Sequence, residues 1–353
     1  MLGLTRFIAN FLKVLTHPIK AQNKDNHSKR SQSKENNYAS AKYQLYTGEK
    51  VNWWQLIIRL EKSIFPVILP SVIFYFTYGL LISLLYSLGL PVAFPADSDV
   101  ITKAVLSFNL GLTLLLVFRT NTAHERFWEG RKLWGMLVNA ARNLTRDLWI
   151  VVKEKEPQDR AEKEATLRLV VAFAYAMKLH LRGEGVNEKL APLMSEIQYF
   201  RLKDINHPPL QIAFWIGDYL QYQYDRDRLN AYQLAALHKL VDELVDILGG
   251  CERILKTPLP LIYPIILRKL VLMYCLVLPL EIVPDVRWLT GVVTAFVSFT
   301  LLSIEQIGAE IEEPFGHDPN DLPLPRICQT IRHNVEELIS LAPNNSRSAN
   351  IKF

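Results

Sequence analysis

The chain has 353 residues, 50% hydrophobic and 21% charged, with a formal net charge of +5 and a mean hydropathy of +0.09. This balance excludes a disordered chain and a strongly basic nucleic-acid binder. The placement of the charge argues against a soluble enzyme as well: no Asp, Glu, Lys or Arg occurs from Ser63 to Ala96, Ala104 to Phe118, Leu270 to Leu280 or Trp288 to Ile304.

Met1 to His17 has an amphipathic helical pattern, with Leu4, Phe7, Ile8, Phe11, Leu12 and Leu15 on one face. It fits an interfacial anchor or the start of a transit segment, and equally a poorly ordered tail; it lacks a secretory cleavage site. Ala21 to Ala41 is rich in Asn, Ser, Lys and Gln, and disorder is expected there. Residues 1–50 are thus a tail. Val51 to Lys62, with Trp53 and Trp54, has the composition of a helix lying at a membrane surface.

A helix crossing the ~30 Å hydrocarbon core needs roughly 17–25 mostly apolar residues. The first charge-free run exceeds that length, entering through Pro66 and Pro70 and ending at Gly89, Pro91 and Pro95. The second span begins near Thr102, so the surface helix and spans one and two occupy 51–118. Beyond Phe118 charges appear abruptly, yet Phe127, Trp134, Val138, Leu144 and Leu148 keep helical spacing. One long helix that leaves the bilayer and continues in water is expected. Residues 119–257 form a cytosolic helical region, with breaks near Gly183-Glu184-Gly185 and His207-Pro208-Pro209. Spans three and four occupy 258–304. The third reaches span length only by joining Leu259–Leu267 across Arg268-Lys269, a basic pair placed at its cytosolic end. A polar C-terminal segment, 305–353, follows.

Residues 1–62 carry eleven Lys/Arg against four acids, whereas the segment between the first two runs offers Lys103 beside Asp97 and Asp99. The positive-inside bias puts both termini in the cytoplasm. Cys251, Cys275 and Cys328 are scattered, which argues against a disulfide framework or a zinc site. The eight histidines show no paired ligand spacing, and His124, His207 and His333 suit surface or capping positions. Catalytic and nucleic-acid motifs are missing.

The run Phe-Arg-Thr-Asn-Thr-Ala-His-Glu-Arg-Phe-Trp-Glu-Gly-Arg-Lys-Leu-Trp-Gly from Phe118 to Gly135 resembles the stretch after the second span in prokaryotic and plastid bestrophins. Three further strings match in order: Gly249-Gly250-Cys251-Glu252-Arg253-Ile254, Thr257-Pro258-Leu259-Pro260, and Glu312 to Leu324. Together they cover roughly residues 45–340. The resemblance implies an all-α homopentameric ion channel, with four transmembrane helices per subunit, a large cytosolic helical bundle and a central pore lined by the second span. It further implies a hydrophobic neck of three rings four residues apart, which here fall on Leu110, Leu114 and Phe118.

Helix geometry gives those positions an independent footing. Residues four apart drift about 40° around a helix, so the three form one stripe, and stacked apolar rings gate by dewetting. The alternative is that the stripe faces lipid or packs on span one. Gly111 on the same helix would permit close approach of a neighbour. Arg119 either forms a charged ring at the pore mouth, favouring anions, or pairs with an acid such as Glu125 or Glu129. Ser107, Asn109 and Thr113 either offer donors to an anion or bond to backbone.

The resemblance puts a second, cytosolic aperture near Tyr232, which an insertion or deletion would move to Leu229 or elsewhere; the alternative is an ordinary face of the helix expected over Asn230–Leu248. Glu305, Glu310, Glu312, Glu313, Asp318 and Asp321 cluster after span four, and Asp318 and Asp321 fall on acidic positions that bind calcium in animal relatives. The alternative there is that Asp321 or Asn320 caps the following helix. The expected partners are four more copies of the chain, the lipid bilayer and small inorganic anions (chloride, bicarbonate), with no nucleic acid, no catalysis and no cofactor other than Ca²⁺ at those two aspartates. The membrane is a bacterial inner membrane or a plastid membrane. A cation-selective channel of the same fold and a non-conducting membrane scaffold are the competing readings.

Overall fold

The computed structural model describes residues 64–94, 99–318 and 320–341, with side chains from residue 103 onward in the second of these segments. The helices expected over Met1–His17 and Val51–Lys62, and the polar stretch Ala21–Ala41, lie outside the described residues. Among the described residues the regular structure is helical.

Helix α1 (Phe65–Ser87) starts with Pro66 in its first turn, where the missing N–H leaves no bond unmade. Helix α2 runs without a break from Asp99 to Val151, 53 residues or about 80 Å. This is the single long helix that the apolar spacing beyond Phe118 predicts. Its C-terminal carbonyls are met by Lys163, whose Nζ donates to Val152 O at 2.7 Å and Trp149 O at 3.3 Å and pairs with Glu154 at 2.6 Å. A cation at this end also complements the helix dipole.

Helix α3 (Pro157–Leu181) opens with a capping box between Glu156 and Asp159. The Asp159 carboxylate accepts the Lys155 and Glu156 amides and faces Arg226 and Arg228 at 3.2 and 3.1 Å. Burial alone would raise its pKa, but these partners override burial and hold it below the usual carboxylate range. Gly183, at φ 66°, takes the left-handed conformation that stops α3. Helices α4 (Glu196–Lys203), α5 (Pro208–Asp225) and α6 (Ala231–Lys256) follow. His207 caps α5, and an Asn230–Gln233 capping box starts α6. Helices α7 (Ile262–Val286), α8 (Thr290–Glu312) and α9 (Leu324–Leu341) complete the described chain.

Among the described residues two apolar cores form. In the larger, the fully buried Val171–Phe173 stretch of α3 packs among Trp134, Leu144 and Leu148 of α2, Ile212 and Ile216 of α5, Leu244 of α6 and Cys328 of α9. In the smaller, Tyr75 of α1 and Leu112 and Leu116 of α2 meet Leu267, Val271 and Cys275 of α7. Because α2 contributes to both, it fixes one core to the other. Among the described residues, two helices are long and apolar enough to cross a membrane, α1 and the Lys103–Val151 part of α2. The charge-free run expected as span three lies within α7, that of span four begins in the 3-10 turn at Trp288 and continues in α8, and both helices pack on α1 and α2.

Candidate functional site

The upper part of α2 shows two different faces. Leu112 and Leu116 are buried against α7, whereas Leu110, Leu114 and Phe118 are 66%, 54% and 54% exposed. The stripe therefore points away from the rest of its own chain, and it does not pack on α1. Nothing lies within 4 Å of a Cβ built on Gly111, so the close approach expected there is not made within the chain. Ser107 bonds to the backbone carbonyl of Lys103 at 2.8 Å, and Thr113 donates to Asn109 Oδ1 at 3.4 Å.

Arg119 departs from the expected mouth charge. It is 4% exposed and turned toward α8, where it pairs with Glu305 at 3.0 Å and Glu312 at 3.8 Å. Its partners are neither Glu125 nor Glu129. One residue beyond Phe118 rotates the side chain about 100° around the helix, off the exposed stripe and onto the face that meets α8. Glu305 also receives Arg268 of α7 at 3.3 Å, so the basic residue at the start of the third run is tied to the same carboxylate. A buried charge needs such partners, and a shared carboxylate supplies them to two helices at once.

The matching sequence strings come together just below this ion pair. Arg126 donates to Ile254 O at 2.8 Å, to Glu312 O at 3.1 Å and to Thr257 O. One guanidinium of the first string thus satisfies the C-terminal carbonyls of α6 and the end of α8. Arg253 pairs with Glu129 at 2.6 Å beside it. Gly130 lies under the Pro314-Phe315 turn, where a Cβ would stand 3.1 Å from the Phe315 ring. Gly250 faces Leu133, where a Cβ would stand 3.0 Å from a methyl group of that leucine. At Gly130 and Gly250 a small residue is needed because a turn and a neighbouring helix meet on them.

The acidic stretch is largely occupied. Helix α8 extends to Glu312, so Glu305, Glu310 and Glu312 sit on a helix. Glu305 and Glu312 face Arg119, and Glu310 accepts from Asn320 at 2.6 Å. Asp321 does not cap α9, which begins at Leu324; its Oδ2 accepts the Asp318 amide at 2.7 Å and closes the preceding turn. Its other carboxyl oxygen is buried without a partner. Burial pushes this carboxyl up to about 6, with the nearby Asp318 charge adding to the rise and the Asp318 amide and Arg182 opposing it. Asp318 itself is exposed.

Between the two aperture positions, exposure separates the residues. Leu229 is 5% exposed and belongs to the large core; Tyr232, in the first turn of α6, is 89% exposed. The three cysteines are free and buried. Burial pushes the thiols of Cys251 and Cys328 up to about 12, which makes them poor nucleophiles at neutral pH.

One cluster escaped sequence reasoning. His180, His207 and Glu252 converge, each imidazole Nε2 standing 2.7 Å from Glu252 Oε1. His207 also caps α5, accepting the Leu210 amide, as its expected capping role requires. The residues are 72 and 45 positions from Glu252, so no local spacing signals the cluster.

Comparison with known proteins agrees with this architecture. The family described as Bacterial/Fungal Bestrophin protein matches residues 46–337. A voltage-dependent anion channel-forming protein of Nostoc sp. is 52% identical over 298 residues, covering 84% of this chain and 95% of that protein. A protein of the same description from Synechocystis sp. is 49% identical over 291 residues, covering 82% and 93%. The solved structure of a bacterial bestrophin homolog from Klebsiella pneumoniae superposes with a TM-score of 0.69 at 27% identity, covering 78% of this chain and 100% of that one. The strings joined through Arg126 lie inside the matched region, and the chain belongs to the bestrophin family.

Proposed function

We propose that this chain is a subunit of a passive ion channel. Five copies surround an axis lined by α2, with α1, the apolar part of α2, α7 and α8 as four spans. Small anions, chloride and bicarbonate among them, pass through a neck of stacked Leu110, Leu114 and Phe118 rings. Tyr232 lines a second, cytosolic constriction. Both termini are cytoplasmic, and the membrane is a bacterial inner membrane or a plastid membrane.

The observation that carries this reading is the exposed apolar stripe on α2, set directly above a buried ion pair. A subunit that leaves Leu110, Leu114 and Phe118 more than half exposed needs lipid or other copies to cover them. Further exposed apolar residues on α1, α7 and α8, including Phe74, Leu272 and Phe296, fit a lipid boundary on the other side. The Nostoc and Synechocystis relatives, described as anion channel-forming proteins, favour anions. With Arg119 paired to Glu305, selectivity does not rest on a ring of arginines. It rests on the neck and on dipoles near it. Calcium at Asp318 and Asp321 is not part of the reading, because Asp321 is engaged by an amide and calcium wants six to eight oxygens.

The test is single-channel recording of purified protein in planar bilayers under a KCl gradient, with Leu114→Ala alongside. Discrete currents reversing toward the chloride potential, with altered conductance or gating in the variant, are expected. Reversal toward the potassium potential would keep the pore and overturn the anion assignment. A well-folded oligomer that carries no current would favour a scaffold.

A further inference from the structure

His180 sits in the last turn of α3, His207 at the N-cap of α5, and Glu252 in the penultimate turn of α6. Their ligand atoms all lie within 4.8 Å of one another, and the two rings are 4.4 Å apart. None of the three touches the apolar stripe, and the conduction reading makes no use of them. We propose that His180, His207 and Glu252 bind one divalent transition-metal ion per chain, zinc being the ion that suits them best.

The donor set argues for this class of ion. Two imidazole nitrogens and one carboxylate oxygen suit zinc and its neighbours, whereas calcium and magnesium prefer oxygen alone. Glu252 is prepared to act through one oxygen: Lys256 holds Oε2 at 2.9 Å and leaves Oε1 toward the rings. Such an outer partner fixes the orientation of a ligating carboxylate. Zinc–ligand bonds of about 2.0–2.2 Å set neighbouring ligands roughly 3.3 Å apart in a tetrahedron. The present contacts of 2.7 Å are those of hydrogen bonds, so each ring must withdraw by about half an ångström, a small side-chain torsion. Of the three residues His180 borders a cavity of 290 Å³, together with Gly183, Glu184 and Asn206, and the proposal takes water as the fourth ligand.

The competing account is that two imidazole N–H groups donate to one carboxylate. In the metal-free chain they do, since His207 Nδ1 accepts the Leu210 amide at 3.4 Å and its proton is therefore on Nε2. Metal binding takes the Nε2 lone pair and moves that proton to Nδ1, with the long capping bond given up. No proton is released when both rings start neutral. Asn is itself a good N-cap, so His207→Asn keeps the cap and loses the ligand.

The full-length protein, purified in detergent with any affinity tag removed and stripped with a chelator, is dialysed against ZnCl₂. Bound zinc is counted by mass spectrometry, and melting is followed with and without the metal. One zinc per chain is expected, with a rise in melting temperature and an X-ray absorption signature of two nitrogens at about 2.0–2.1 Å. Glu252→Gln and the double variant His180→Asn/His207→Asn should each hold none. Metal-free His207→Asn should melt as the wild type does, which separates loss of a ligand from loss of the fold. The proposal is overturned if the wild type holds no stoichiometric zinc, if the double variant retains it, or if calcium gives the same shift. A channel that conducts but binds no zinc would leave the conduction reading standing and remove this one.

Discussion

Gly79 of α1 and Gly291 of α8 meet backbone to backbone: a Cβ on Gly79 would stand 2.8 Å from the Gly291 Cα. In the other direction, a Cβ on Gly291 would meet Leu80 at 2.7 Å and the Phe76 carbonyl at 3.0 Å. Thr290, Thr294 and Ser298 of α8 are also buried; the hydroxyls of Thr294 and Ser298 bond back to their own helix, and that of Thr290 donates to the Arg287 carbonyl in the turn before it. Gly79→Ala must push the helices apart and should cost ~1–3 kcal/mol. Gly111→Ala meets nothing within 4 Å and gains up to about 1 kcal/mol of helix propensity. Melting of the two variants in detergent should move in opposite directions, and a Gly79→Ala protein as stable as wild type would refute the close packing.

Arg119→Ala removes one side of a buried pair and leaves Glu305 with Arg268, which is mostly exposed. A loss of roughly 3–5 kcal/mol is expected. The double variant Arg119→Met/Glu305→Leu replaces both charges with apolar volume and should be less destabilised than Arg119→Ala. Equal losses in both proteins would mean that packing, and not the unpaired charge, sets the cost.

Asp321 should make stability fall as pH rises. Its carboxyl is at about 6 in the fold against an ordinary 3.8, so the folded chain binds more proton than the unfolded one between those values. Stability from this group is full below pH 3.8 and is lost as pH climbs through about 6. Asp321→Asn has nothing to titrate there. Relative to wild type its melting temperature should improve across that window and then hold level, and a constant difference would contradict the assignment. Glu252 contributes the opposite trend at lower pH. Burial alone would raise it, but hydrogen bonds from Lys256, His180 and His207 override burial and hold it at about 2. The comparison must therefore be between variant and wild type.

Tyr232 and Leu229 separate a passage residue from a core residue. Leu229→Ala should cost ~2–5 kcal/mol, the usual loss for a buried leucine. Tyr232→Ala should change stability by less than about 0.5 kcal/mol while altering current through the channel. A Tyr232→Ala channel with unchanged conductance and selectivity would remove this residue from the pathway.

Periodicity alone reveals α2 as one helix, the breaks after α3 and before α5, and the common face of Leu110, Leu114 and Phe118, because each depends on neighbours a few residues apart. The partners of Arg119 could not be found that way. Glu305 is 186 positions distant, whereas the acids close in sequence are Glu125 and Glu129. The same distance hid the convergence of His180, His207 and Glu252, three residues unremarkable in their own helices. Asp321 illustrates a subtler failure: a helix-capping residue type before a proline-started helix turned out to close the turn before it.

The unbroken course of α2 gives the stripe and the cytosolic core a common phase. No proline interrupts the helix, so azimuth is carried from Phe118 to Trp134 at about 100° per residue. One residue inserted between them would turn the stripe by that amount relative to the core, to the azimuth that Val117 now holds, and would leave the apolar composition of both segments untouched. Seven inserted residues would restore the angle to within about 20°. The orientation of the neck is thus a matter of arithmetic along one rod, and length in this segment constrains the protein as tightly as residue type does.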